Sequence, residues 1–118
     1  MAREIMRTGG NGRRSKCVAY GGLVYVSGIT TVDLQADVRE QTRDVLDQID
    51  KMLAANGSDK LRVVSASITL KDREHDYGEF NAVWDQWVSD GFEPARSVTG
   101  GKLALPEYRV KIALIAAQ

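Results

Sequence analysis

The sequence predicts an α+β domain in which two amphipathic helices cover one face of a single mixed β-sheet. Three observations carry that expectation. The chain has 118 residues, the size of one domain, and a chain of that length buries roughly two thirds of its unfolded surface on folding. Its patterned segments follow the order β-β-α-β-α-β-β, without an internal repeat or a low-complexity tract. Each helical segment carries a single apolar stripe, so each needs covering on one side only.

Residues 1–16 are polar, contain Gly9, Gly10 and Gly12, and read as a flexible arm ahead of a single domain over 17–118. Cys17 to Tyr20 and Leu23 to Ser27 read as two strands joined by a tight Gly21-Gly22 turn. Gly28 follows directly and allows a sharp bend or a close approach. Asp37 to Ala55 is the clearest helix, with Val38, Val45, Leu46, Ile49, Met52 and Leu53 on one stripe. Asp37 and Glu40 form its capping pair, and Asn56-Gly57 its stop.

Arg62 to Leu70 alternates as a strand, with Val64, Ala66, Ile68 and Leu70 on one face and Ser65, Ser67 and Thr69 on the other. A second helix is expected from about Asp76, with Glu79 as cap partner, and ends at Gly91. Tyr77, Phe80, Trp84, Trp87 and Val88 form its stripe, the tryptophans serving as core anchors. Two strands close the chain, about Arg96 to Gly101 and Arg109 to Ala116, with Pro106 between them. With both helices on one sheet face, the other face would carry Val63, Ser65, Ser67, Ala113 and Ile115. Small and moderately apolar, that face suits another subunit better than water.

Composition narrows the function. Sixteen basic residues balance sixteen acidic ones, so the whole chain has no field to gather nucleic acid or an anionic membrane. A local basic patch remains in Arg7 to Lys16, which holds four basic residues and no acid. The single cysteine, Cys17, makes no internal disulfide and reads as a core residue. The only histidine, His75, lies elsewhere in a loop-like stretch, so a Cys–His metal site is not expected. No signal-like or membrane-spanning stretch is visible, which points to a cytoplasmic protein.

Leu23-Val24-Tyr25-Val26-Ser27-Gly28, Gln41-Thr42, Asn56-Gly57-Ser58, Phe80-Asn81 with Trp84, and above all Pro94-Ala95-Arg96-Ser97 occur in order and at the right spacing for the Rid (YjgF-like) family, which the sequence resembles over about residues 17–117. Trp84-Asp85-Gln86-Trp87-Val88 and Pro106-Glu107-Tyr108 are most similar to its YoaB-like branch. The resemblance implies a chorismate-mutase-like fold and a homotrimer with ligand clefts between subunits. Its deaminating members hydrolyse reactive enamines and imines to keto acids and ammonia, without a metal or organic cofactor. It assigns the carboxylate-holding role to Arg96 and places Ser27 and Gly28 at the substrate. A guanidinium is physically suited to that role, because its rigid fork matches a carboxylate with two charge-assisted hydrogen bonds.

The sequence also departs from the family. Lys111 stands where the resemblance expects the water-positioning glutamate, and an ammonium cannot accept a proton. Arg14 falls near the position of a family aromatic residue. Convergence of Arg14, Arg96 and Lys111 would suit a dicarboxylate or a phosphorylated ligand; alternatively, Arg14 and Lys111 face solvent or pair with Glu107 and Asp85. Three functions follow: a carboxylate-binding Rid protein that hydrolyses imines or enamines, a non-catalytic metabolite-binding or regulatory module, and an endoribonuclease or translation inhibitor. Neutral charge, one histidine and the lack of a basic-aromatic stripe argue against the last, so no dedicated nucleic-acid partner is expected.

Overall fold

The computed structural model describes residues 4–118; residues 1–3, part of the expected arm, lie outside the described residues. Six strands form one sheet in the order β1-β2-β3-β6-β4-β5. They are β1 (Met6–Thr8), β2 (Cys17–Tyr20), β3 (Leu23–Ile29), β4 (Val63–Leu70), β5 (Ala95–Gly100) and β6 (Val110–Ala117). All neighbours run antiparallel except β4 and β5, which are parallel and joined through a helix. Helices α1 (Val38–Ala55) and α2 (Arg73–Trp87) pack against the sheet and each other, giving the expected α+β architecture.

The local reasons are those of the sequence. Tyr20 pairs with Leu23 across Gly21 and Gly22, whose φ values of 62° and 82° permit the two-residue turn. The Asp37 side chain accepts from the Glu40 N–H and starts α1. Val45, Leu46, Ile49 and Leu53 then bury one stripe against Val24, Ile68, Ile112 and Leu114 of the sheet. Trp84 and Trp87 are buried core residues, as expected. Cys17 is buried among them, and desolvation pushes its thiol up from the ordinary value.

Three details differ from the sequence reading. Met6–Thr8, within the arm, forms β1 by pairing with Cys17–Ala19. Helix α2 begins at Arg73 rather than near Asp76, because Asp72 caps it by accepting from the His75 N–H; Asp76 is inside the helix and buried, and His75 belongs to the same helix. The faces of Val63 and Val64 are exchanged. Val63 pairs with Ala116 and Ser65 with Ile115, so a bulge at Val64 restarts the alternation. Val63 therefore enters the core at 5% exposure, while Val64 stays 49% exposed. Among the described residues, no helix is long and apolar enough to cross a membrane.

Candidate functional site

Arg96 is the second residue of β5, an edge strand that starts directly after Pro94. Its register opposite Ala66, a core residue, turns the side chain toward the helices. The guanidinium carbon lies 5.4 Å from the Trp84 ring centroid and 6.0 Å from that of Phe80, within reach of a cation–π attraction. Nη2 donates to the Tyr77 hydroxyl at 3.4 Å. Nη1 is buried and has no hydrogen-bond partner among the described residues. Asn81 Oδ1, on the same helix as Tyr77, is likewise buried and unpaired. A hydrogen bond with Asn81, followed by the charge of Arg96, lowers the Tyr77 phenol below its ordinary value. Beside this group lies a depression of about 410 Å³ lined by Trp84, Asp85, Val88, Asp90, Glu93, Pro94 and Arg96.

A second constellation forms around the end of β3. The β3–β6 pairing shifts register between Val26 and Ile29, so Ser27 and Gly28 sit in an irregular bend. Ser27 anchors the arm: its N–H and its hydroxyl donate to the Lys16 carbonyl at 2.9 and 3.1 Å. The Lys111 stem crosses Gly28 so closely that a Cβ there would lie 2.8 Å from Lys111 Cδ. Arg14, Lys16, Gly28, the Ile29–Val32 segment, Gln48 and Tyr108 line a depression of about 170 Å³. The ion pairs among the described residues include none of Arg14, Lys16 and Lys111. Arg14 instead directs Nη1 at the Gly9 carbonyl, at 3.4 Å.

The family model described as Endoribonuclease L-PSP matches residues 7–118. The chain belongs to this family, the Rid (YjgF-like) proteins. Within it, the chain is 36% identical to the RutC family protein YoaB of Escherichia coli K12, over 96% of this chain and 97% of the relative. It is equally similar, at 36% with 96% of each covered, to a RutC family protein of Haemophilus ducreyi. A solved YjgF family member from Neisseria meningitidis superposes with a TM-score of 0.93 at 43% identity, covering 98% of this chain and 95% of that one. A protein from Pseudomonas aeruginosa gives 0.93 at 37%, covering 98% and 99%.

Set in this Rid fold, the expected site residues divide into two groups. Arg14, Ser27, Gly28 and Lys111 are neighbours around one bend. Arg96 does not join them within the chain. Arg96 shares the face of Ala66, whereas Lys111 pairs with Thr69 and so projects from the other face of the sheet. Arg14, Arg96 and Lys111 therefore do not converge within one chain. Lys111 also makes no ion pair with Glu107 or Asp85 among the described residues.

Sequence reasoning missed the polar companions of Arg96. Tyr77 read as apolar stripe and Asn81 as a family motif residue, although an asparagine beside Phe80 on a buried helix face is a usable signal. It also missed Asp76, which is 1% exposed. One Asp76 oxygen accepts from Arg109 Nε at 2.9 Å and Nη2 at 2.6 Å, and the other lies 2.7 Å from His75 Nδ1. This cluster ties α2 to the start of β6. Gln41 completes the tie by accepting from the Arg109 N–H and donating to the Glu107 carbonyl.

Proposed function

We propose that this Rid-family protein binds small carboxylate metabolites through Arg96, in clefts between the subunits of a homotrimer. Reactive imine and enamine acids are the ligand class that fits the surroundings best, and a cytoplasmic setting suits the free thiol of Cys17. One observation carries the reading. A buried guanidinium nitrogen without an acceptor costs free energy unless something fills the gap. A carboxylate supplies the missing acceptor with favourable charge. The rim carboxylates Asp85, Asp90 and Glu93 also line the depression. They disfavour a simple anion but suit a ligand whose carboxylate neighbours a cationic nitrogen, as in an iminium acid.

Hydrolysis of such a ligand adds water across C=N and releases ammonia, leaving a keto acid. It needs a group that takes a proton from water and returns one to the leaving nitrogen. Lys111 stands in place of the glutamate that the family resemblance assigns to this work. That substitution favours the second reading, a metabolite-binding or regulatory module with weak turnover. Titration calorimetry with keto acids is the direct test. Arg96→Ala should lower affinity about a hundredfold, since a truncated buried charge pair loses a few kcal/mol. Unchanged affinity would move the site elsewhere. Ammonia release from freshly generated iminopyruvate then separates the two readings: Lys111→Glu should raise the rate, while a fast wild-type rate insensitive to Lys111→Ala would assign water activation to another residue.

A further inference from the structure

We propose that the groove between α1 and α2 binds a small primary amine, which seats its ammonium against Asp50 and its apolar body on Leu46, Val83 and Trp87. The inference stands apart from the carboxylate reading at Arg96, because α2 separates the two regions. Trp84, Asp85 and Val88 line the Arg96 depression, whereas Val83, Gln86 and Trp87 line this groove.

The groove measures about 270 Å³, and α1 contributes Arg43, Leu46, Asp47 and Asp50 to it, with Lys60 beside them. Leu46, Val83 and Trp87 are buried core residues, so its floor is apolar. Asp50 is a half-buried acid against that floor. Its Oδ1 accepts from the Trp87 indole N–H at 3.0 Å, and Oδ2 takes no hydrogen bond or ion pair among the described residues. Burial pushes the Asp50 carboxyl up from its ordinary value, against the Trp87 hydrogen bond and the Lys60 charge, which pull it down. A carboxylate partly withdrawn from water, with one neutral donor, gains from a cation that brings further donors.

The protein's own cations leave Asp50 unserved. Arg43 pairs with Glu40, and Lys51 pairs with Asp47 at 3.0 Å. Lys60 is exposed, and no ion pair among the described residues includes it. Asp47, one turn before Asp50, pushes the Asp50 carboxyl further up. An ammonium carries three donors on a compact charge, and an apolar tail gains by covering the Leu46, Val83 and Trp87 floor. The volume of about 270 Å³ falls just below the roughly 300–1,000 Å³ of pockets for drug-sized ligands, which suits a monoamine with a short tail. A carboxylate ligand would have to face Asp47 and Asp50 at once. A metal ion fits less well, since the described residues contain no group of three His, Cys, Asp or Glu able to hold one. The groove shares no residue with the depression on the sheet face proposed for the homotrimer, so that assembly would leave it open.

The test is nuclear magnetic resonance on the full chain at neutral pH and constant ionic strength, with n-butylamine as the probe. The Trp87 indole N–H is the reporter, because it donates to Asp50. Its resonance should shift and saturate as the amine is added. Asp50→Asn keeps an acceptor for the indole and removes the charge, so it should weaken binding about tenfold or more. Lys60→Met removes a competing cation from an exposed position, where folding is not at stake, and should tighten binding about threefold. n-Butanol, with the same tail and no charge, should bind about tenfold more weakly than the amine. Arg96→Ala should leave amine affinity unchanged. No saturable shift at millimolar amine would overturn the site, as would wild-type affinity in Asp50→Asn. Equal binding of n-butanol would reduce the groove to an apolar surface, and weaker amine binding in Lys60→Met would set the ligand against the lysine. Either result ends the proposal. Loss of amine binding in Arg96→Ala would end it as well, by moving the amine to the other side of α2.

Discussion

Asp76 shows at the level of one residue how burial sets the weight of a charge. It is 1% exposed and pairs with Arg109 through two hydrogen bonds to the same oxygen. Removing it would strand the Arg109 guanidinium and the Gln41 network behind it. Asp76→Ala should therefore cost about 3 kcal/mol of stability in denaturant unfolding. Glu79→Ala, which breaks an exposed pair between Glu79 of α2 and Arg39 of α1, should cost less than about 1 kcal/mol. Equal losses would mean that the Asp76 cluster holds little. His75 adds a pH signature. Its hydrogen bond to Asp76, then the charges of Asp76 and Asp72, push its imidazole up from the ordinary 6.5. The folded value lies above the unfolded one, so the stabilisation is complete below about pH 6.5 and fades as pH rises through the folded value. The melting temperature should fall across that window in the wild type and flatten in His75→Gln. An identical slope in both proteins would remove His75 from the account.

Among the elements, β4 separates what alternation can tell from what it cannot. Its bulge places Val63 in the core and leaves Val64 exposed, the reverse of a strict two-residue period. Val63→Ala should cost roughly 2 kcal/mol through the cavity it leaves. Val64→Thr, which keeps the β-branch, should change stability by less than about 0.5 kcal/mol; a comparable loss at both positions would place Val64 under cover. Both helices, the hairpin at Gly21-Gly22 and the sequence of elements along residues 17–117 were legible because each depends on neighbours close in sequence. A bulge is fixed instead by the partner strand, here by Ala116 and Ile115, about fifty residues away. Tertiary pairing likewise hid the Asp76–Arg109 pair and the pairing of Met6–Thr8 with β2, where no local periodicity announces the partner. In the candidate site, the Pro94-Ala95-Arg96-Ser97 segment made Arg96 visible from the start. Its unpaired Nη1 was not visible, since that depends on how α2 packs over β5.

At the scale of the whole molecule, the proposed homotrimer rests on the sheet face away from the helices. Tyr25, Ser65, Ser67, Ala113 and Ile115 surround a shallow depression of about 180 Å³ there. Tyr25 is 41% exposed, and few charges interrupt the face. Such a surface gains by being covered, at roughly 25 cal/mol for each Å² of apolar area removed from water. Within one chain Arg96 and Lys111 lie on opposite sheet faces, so only a neighbouring copy could bring an Arg96 to a Gly28–Lys111 bend. The proposed homotrimer provides that opportunity and ties ligand binding to assembly. Light scattering at micromolar concentration should give three times the chain mass. Ile115→Arg, which buries a charge in the proposed interface, should produce monomers that keep their helical circular dichroism. Keto-acid affinity should fall with the loss of the trimer, because the cleft around Arg96 would lose one wall. A monomeric wild type would defeat the assembly. Monomeric Ile115→Arg that binds keto acids as tightly as the trimer would leave the assembly standing and confine the carboxylate site to a single chain.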